Sequence, residues 1–141
     1  MISRDYEGKV VIVTGAGQGI GAEVAKAYAK CQAQVVLAEL EPHLGTETER
    51  LIVEQGGKAL FVPTDVREPE QIVALMNTVR ERYGRVDILI NNAGLSRFGS
   101  PYELSVEMWD TILNTNLRGA FLCSREAAKV MRLQNSGSIV N

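Results

Sequence analysis

The stretch Lys9-Val10-Val11-Ile12-Val13, running directly into Thr14-Gly15-Ala16-Gly17-Gln18-Gly19-Ile20-Gly21, decides the fold. Four consecutive β-branched residues without polar alternation suit a strand buried on both faces of a parallel sheet. Four glycines at alternating positions then make a turn. Beyond them Ile20, Val24, Ala27, Tyr28 and Cys31 recur at three- and four-residue steps, so a helix over 20–31 follows. The same alternation continues outward. Gln34–Ala38 reads as a second buried strand, and Pro42–Gln55 as a helix with proline in its first turn and Gly56-Gly57 at its end. Ala59–Val62 is a third strand. Pro69 opens a helix with Ile72, Leu75, Met76 and Val79 on one face, stopped by Gly84. Val86–Ile90 is a fourth strand, and Ser105 caps a long helix that runs through Trp109, Ile112, Leu113 and Leu117 to about Leu133. Ser138–Asn141 begins a fifth strand. This pattern predicts an α/β fold: a doubly wound parallel sheet in the order 3-2-1-4-5, with the sequence stopping within the fifth strand. Ligands in such sheets sit beyond the carboxyl ends of the strands, where strand order reverses. Trp109, Phe121 and Met131 read as core or interface packing.

Composition agrees with one globular domain over 1–141, and the break within the fifth strand leads to the expectation that this domain is incomplete at its C-terminal end. The 141 residues are 45% hydrophobic, 23% charged and 6% aromatic. Fifteen Lys and Arg against 17 Asp and Glu give a net charge of −2, and no basic block appears, so no footprint for nucleic acid is present. Cys31 and Cys123 form no Cys-x-x-Cys pair and read as reduced thiols, and His43 is the single histidine, so the spacing supplies no metal site. The start, Met1 to Tyr6, has no apolar core of signal-peptide length, and no stretch reaches 18 apolar residues, which predicts a cytoplasmic protein without a membrane partner.

The chemistry concentrates after the first strand. Glycines there permit a tight turn and let a diphosphate approach the backbone, while free N–H groups and the positive end of the following helix attract its charge. A phosphate loop of the nucleotide-hydrolase kind is excluded, because no Gly-Lys-Ser/Thr follows. Glu39, at the end of the second strand, can accept hydrogen bonds from both ribose hydroxyls of an adenosine and would repel a 2′-phosphate. Neither Gln18 nor Leu40 offers a cation for such a phosphate, so NAD is favoured over NADP. Asp65 can bond an adenine amino group, or serve as a turn residue before Pro69. Asn91-Asn92-Ala93-Gly94 ends the fourth strand, where side-chain amides can tie neighbouring loops and small residues leave room for a ribose and nicotinamide. Asn114, Asn116 and Gly119 are poor interior helix residues. They mark either a local irregularity that frees a carbonyl or a tolerated polar patch.

Taken together, Thr14-Gly15-x-x-x-Gly19-x-Gly21, Glu39, Asp65-Val66, Asn91-Asn92-Ala93-Gly94 and Asn116-Leu117-Arg118-Gly119 resemble the short-chain dehydrogenase/reductase family, in order and in spacing, from Lys9 to Asn141. The resemblance implies a Rossmann-type fold, a nicotinamide cofactor, a small alcohol or carbonyl substrate, and a homo-oligomer. Gly15, Gln18, Gly19, Ile20 and Gly21 are then the diphosphate loop, Glu39 and Leu40 the ribose contacts, Asp65 and Val66 the adenine contacts, and Asn92, Ala93 and Gly94 the lining of the central pocket. Asn116 matches the family's catalytic asparagine, whose main-chain carbonyl holds a water in a proton relay. The family's remaining catalytic members are a serine after the fifth strand and a Tyr-x-x-x-Lys pair. Tyr6, Tyr28, Tyr83 and Tyr102 are followed four residues later by Val10, Gln32, Asp87 and Val106, so none of these tyrosines has its lysine. The expectation is therefore the NAD-binding part of a longer oxidoreductase, inactive alone because the general acid/base is missing. The alternative is a short dinucleotide-binding sensor or interaction module without catalysis.

Overall fold

The computed structural model describes residues 5–141, so the reading of Met1 to Arg4 lies outside the described residues. Eleven elements follow in order: β1 (Val10–Thr14), α1 (Gly19–Lys30), β2 (Gln34–Glu39), α2 (Pro42–Glu54), β3 (Lys58–Pro63), α3 (Pro69–Tyr83), β4 (Ile88–Ile90), α4 (Val106–Leu113), a π-helical turn (Asn114–Gly119), α5 (Ala120–Gln134) and β5 (Ser138–Val140). The strands make one parallel sheet in the order β3-β2-β1-β4-β5, as the alternating pattern predicts.

β1 lies in the middle and is buried along its whole length. Its period of two sends Val10 and Ile12 into one core and Val11 and Val13 into the other. The first core joins Val36 and Leu89 to Ile72, Leu75 and Val79 of α3 and to Cys123, Ala127 and Val130 of α5. The second joins Val35 and Leu37 to Ala25 and Ala29 of α1 and Ile52 of α2. Two helices therefore cover each face, which is why none of the central strands could alternate with polar residues. Local signals end the helices where expected. Ser105 Oγ accepts the Met108 N–H at 3.1 Å, and Gly84 closes α3 in the left-handed conformation with φ +74°.

One boundary differs from the sequence reading, and two other details sharpen it. The fourth strand starts at Ile88 instead of Val86, because Val86 gives its N–H to the Gln134 side chain and takes that side chain's amide on its carbonyl. The long helix is continuous in space, yet its Asn114–Gly119 segment widens into a π turn, the local irregularity that Asn114, Asn116 and Gly119 suggested. Trp109 and Phe121 stay 54% and 59% exposed, whereas Met131 is buried, so only the methionine packs in the core. Cys31 and Cys123 are free thiols, and burial pushes that of Cys123 up to about 12, which leaves it protonated and unreactive at neutral pH. No helix among the described residues is long and apolar enough to cross a membrane.

A buried carboxylate joins the sheet to its rim. Asp87 accepts the Val10 N–H at 2.9 Å and the Arg85 guanidinium through both oxygens, with Lys9 nearby at 3.6 Å. Burial pushes its carboxyl up, but Arg85, the Val10 N–H and Lys9 together outweigh burial and hold it below the usual carboxylate range. Because the folded-state value is depressed, this stabilisation is present above the ordinary carboxylate range and is lost as pH falls through the lowered value. Asp87→Asn is expected to lower stability by about 2 kcal/mol near neutrality. In urea unfolding followed from pH 7 down to pH 3, the gap between wild type and variant should shrink.

Candidate functional site

Where β1 ends, the chain has almost no room. Gly15 takes φ +63° and gives its N–H to the Ala38 carbonyl of β2 at 2.8 Å. A Cβ there would lie 2.9 Å from the Ala93 Cα, and one on Gly21 would lie 2.1 Å from the Gly15 carbonyl oxygen. Gly17 is similarly confined, since a Cβ there would lie 2.6 Å from the Leu44 Cβ and 2.8 Å from the Glu39 Cδ. Gly19 is the exception: it has φ +54° and open space where a side chain would stand. Thus Gly15, Gly17 and Gly21 are demanded by close approach, while Gly19 leaves bare backbone beside open space. α1 then begins with Gln18 as its N-cap and without a side-chain cap bond, leaving its first N–H groups for solvent or an anion.

Side chains from the neighbouring strand ends hold this turn. The Asn92 amide donates to the carbonyls of Thr14 and Gly15 at 3.1 Å each, and the Thr14 hydroxyl oxygen accepts the N–H groups of Asn92 and Ala93 at 3.1 and 2.9 Å. Asn91 donates to the Ser124 hydroxyl at 2.8 Å, tying β4 to α5. Glu39 is 7% exposed, and its two carboxylate oxygens accept the Gly17 N–H at 2.8 Å and the Glu41 N–H at 3.0 Å. A carboxylate offers about four acceptor positions, so two remain. Asp65 is engaged by Arg67, whose guanidinium holds its carboxyl below the usual carboxylate range against the upward push of burial. Asn116 reaches from the π turn to Leu95, accepting its N–H at 2.9 Å and donating to its carbonyl at 2.8 Å.

Between these strand ends lies a cleft of about 360 Å³, large enough for part of a dinucleotide. Gly15, Gln18, Glu39, Leu40, Asp65 and Val66 line it at one side. Asn92, Ala93 and Gly94 line the other. Gly19 and Ile20 border an adjoining open depression with Glu23, Val24 and Ala27, and Gly21 is buried beneath the turn. Asn116 does not line the cleft but grips Leu95, which does. The donors at the glycine turn and the acceptors at Glu39 and Asp65 fit an anionic group flanked by hydroxyl- and amine-bearing ends. Sequence reasoning passed over Thr14 as a hydroxyl clamp, and over Arg67 and Thr115 as cleft residues. The polar residue ending a strand was a usable signal for Thr14; the others depend on contacts between distant segments. Among the described residues no cluster of His, Cys, Asp or Glu could hold a metal.

The family model described as short chain dehydrogenase matches residues 9–141. An uncharacterized oxidoreductase of Thermotoga maritima is 39% identical over 135 residues, covering 96% of this chain and 53% of that protein. The crystal structure of a short-chain type dehydrogenase/reductase from Mycobacterium marinum superposes with a TM-score of 0.92 at 34% identity, over 96% of this chain and 56% of the other. A metagenomic short-chain oxidoreductase, solved in complex with NADP, superposes with a TM-score of 0.90 at 35% identity, over 94% of this chain and 61% of the other. The chain spans about half the length of the curated relatives it matches.

The glycines separate experimentally. Gly21→Ala should cost about 3 kcal/mol or more, since its Cβ meets backbone that cannot yield. Gly19→Ala should cost about 1 kcal/mol, from the positive φ alone. Urea midpoints for the two variants should therefore fall in that order, and equal midpoints would contradict the close approach.

Proposed function

The chain belongs to the short-chain dehydrogenase family, and on that premise we propose that residues 1–141 form the NAD(H)-binding part of an oxidoreductase acting on a small alcohol or carbonyl compound. One observation carries the choice of NAD: a nearly buried carboxylate, Glu39, stands at the end of β2 with its oxygens steered by two backbone N–H groups and two acceptor positions left. A pair of ribose hydroxyls supplies two donors to such a group. A 2′-phosphate would meet like charge in a poorly solvated place.

The dinucleotide, when bound, supplies the hydride carrier. This chain's residues bind and orient it. Gly15, Gln18, Gly19, Ile20 and Gly21 present the turn and the start of α1 to the diphosphate, Leu40 borders the ribose beside Glu39, and Asp65 and Val66 face the base. Asn92, Ala93 and Gly94 leave space for the nicotinamide end. Asn116, with its side chain committed to Leu95, has its main-chain carbonyl within a π turn, the group assigned to hold a water in the proton relay. In this reading the serine and the Tyr-x-x-x-Lys pair come from residues other than these 141, and these residues alone do not turn over substrate. We place the protein in the cytoplasm.

Glu39→Ala is expected to weaken NAD binding about 10-fold or more, the equivalent of one charge-assisted hydrogen bond, while changing NADP binding less than about threefold. Calorimetric titration with both dinucleotides checks this, and equal losses would refute the ribose assignment.

A homo-oligomer is supported by Trp109, Leu113, Leu117 and Phe121, which recur every four residues along the α4, π and α5 surface and remain exposed. Gel filtration should give a dimer or larger species, and Trp109→Glu combined with Phe121→Glu should shift it to the monomer position.

A further inference from the structure

Arg67 occupies the cleft wall beside Asp65, and its bonding exceeds what closing a turn requires. Its Nε–H is shared between the two Asp65 oxygens at 2.9 and 3.1 Å, its Nη2 reaches Oδ2, and its backbone N–H donates to Oδ1 at 2.9 Å. Arg67 is itself fixed by a distant partner, since Arg118 of the π turn donates from Nη1 to the Arg67 carbonyl at 2.8 Å. Gln71 holds the other side of the turn by accepting the Asp65 N–H at 2.7 Å. The Asp65 side chain is 12% exposed and that of Arg67 38%, so the pair stands at the rim with its carboxylate on the inner side.

An ion pair this exposed contributes little to folding, which leaves its geometry as the feature to be explained. The fork of a guanidinium holds a carboxylate in one plane and one rotamer. Three N–H groups, the Arg67 backbone N–H, Nε–H and Nη2–H, meet about four acceptor positions of the carboxylate, so one position remains for a further donor. The charge of Arg67 also keeps Asp65 ionised, and therefore acceptor-only, at any ordinary pH. An acceptor fixed in this way distinguishes two kinds of purine. A 6-aminopurine offers an N–H there; a 6-oxopurine offers a carbonyl oxygen, which a carboxylate repels.

We infer that Arg67 is a positioning residue for base selection: it sets the Asp65 carboxylate as a fixed acceptor, with Arg118 bracing it from the π turn, so that the cleft prefers an adenine dinucleotide to a 6-oxopurine one. The inference rests on the cofactor reading above and deepens it at the base end.

The test is calorimetric binding of NADH and of its reduced hypoxanthine analogue to the full chain, for wild type, Arg67→Ala, Arg67→Lys and Arg118→Ala. Wild type should prefer NADH about 10-fold, the worth of one hydrogen bond to a charged group. Arg67→Ala should bring that ratio within about threefold, mainly by weakening NADH, while Arg67→Lys retains an intermediate preference and Arg118→Ala a reduced one. An unchanged ratio in Arg67→Ala, or equal weakening of both ligands, would reduce Arg67 to a brace of the turn and overturn the inference. Weakening confined to NADPH, measured alongside, would assign the guanidinium to a 2′-phosphate and overturn it equally. Wild type binding both ligands equally would remove the base role of Asp65 and leave the cofactor reading standing, whereas wild type binding neither would bring down both.

Discussion

The absence of clearance at the exit of β1 is the constraint on which the rest of this molecule depends. Gly15 sits against Ala93, Gly21 against the Gly15 carbonyl, and Gly17 against Glu39, each closer than any side chain allows. That crowding results from the sheet order. β1 lies between β2 and β4, and the connections on its two sides depart in opposite directions, so the carboxyl ends of three strands converge on one turn. The glycines let the backbone pass through this space, and the Asn92 amide and Thr14 hydroxyl fill the hydrogen bonds that the passage leaves open. Structure and site are therefore the same set of contacts at this point.

Electrostatics at the cleft follows from the same economy of space. Glu39 serves the fold by accepting two backbone N–H groups, and those bonds fix it where a ribose would meet it. Asp65 is treated differently: its partner is a full cation, and the backbone carbonyl of that arginine is held by Arg118 from the π turn. One carboxylate is oriented by backbone dipoles and the other by charge. The difference matters because dipoles leave a net negative charge at Glu39, whereas the Asp65–Arg67 pair is neutral overall and offers only a directed acceptor.

Much of this was legible in the sequence. The buried face of α3 is Ile72, Leu75, Met76 and Val79, the four residues that its periodicity names, and the caps at Ser105 and Gly84 stand where local chemistry puts them. The strand order came from the alternation of strands and helices with crossover rules, and the family from five motifs in register. What escaped was set by partners far along the chain. Val86 leaves the strand for Gln134, 48 residues away, and Arg67 owes its place to Arg118, 51 residues away; no window of local sequence contains either pair. Helical periodicity also registers which face is apolar without registering a widened turn, so the π segment was marked only by its unfavourable residues. Trp109 and Phe121 show the converse: large apolar side chains announce burial against something, and among the described residues both stay more than half exposed, with only the Arg125 guanidinium over the Phe121 ring.

The π turn makes three separate grips within four residues. Asn116 holds Leu95, Arg118 holds the Arg67 carbonyl, and Gly119 lies so near Val66 that a Cβ would approach its Cγ2 to 2.8 Å. A widened turn carries an extra residue relative to the α-helix, and each residue of an α-helix advances the direction of its side chains by about 100°. Removing one residue here would restore regular winding and leave Cys123, Ala127 and Val130 of α5 facing the sheet, but it would draw Asn116, Arg118 and Gly119 out of the register in which they reach Leu95, Arg67 and Val66. The length of this segment is therefore as much a part of the three grips as the residues that make them.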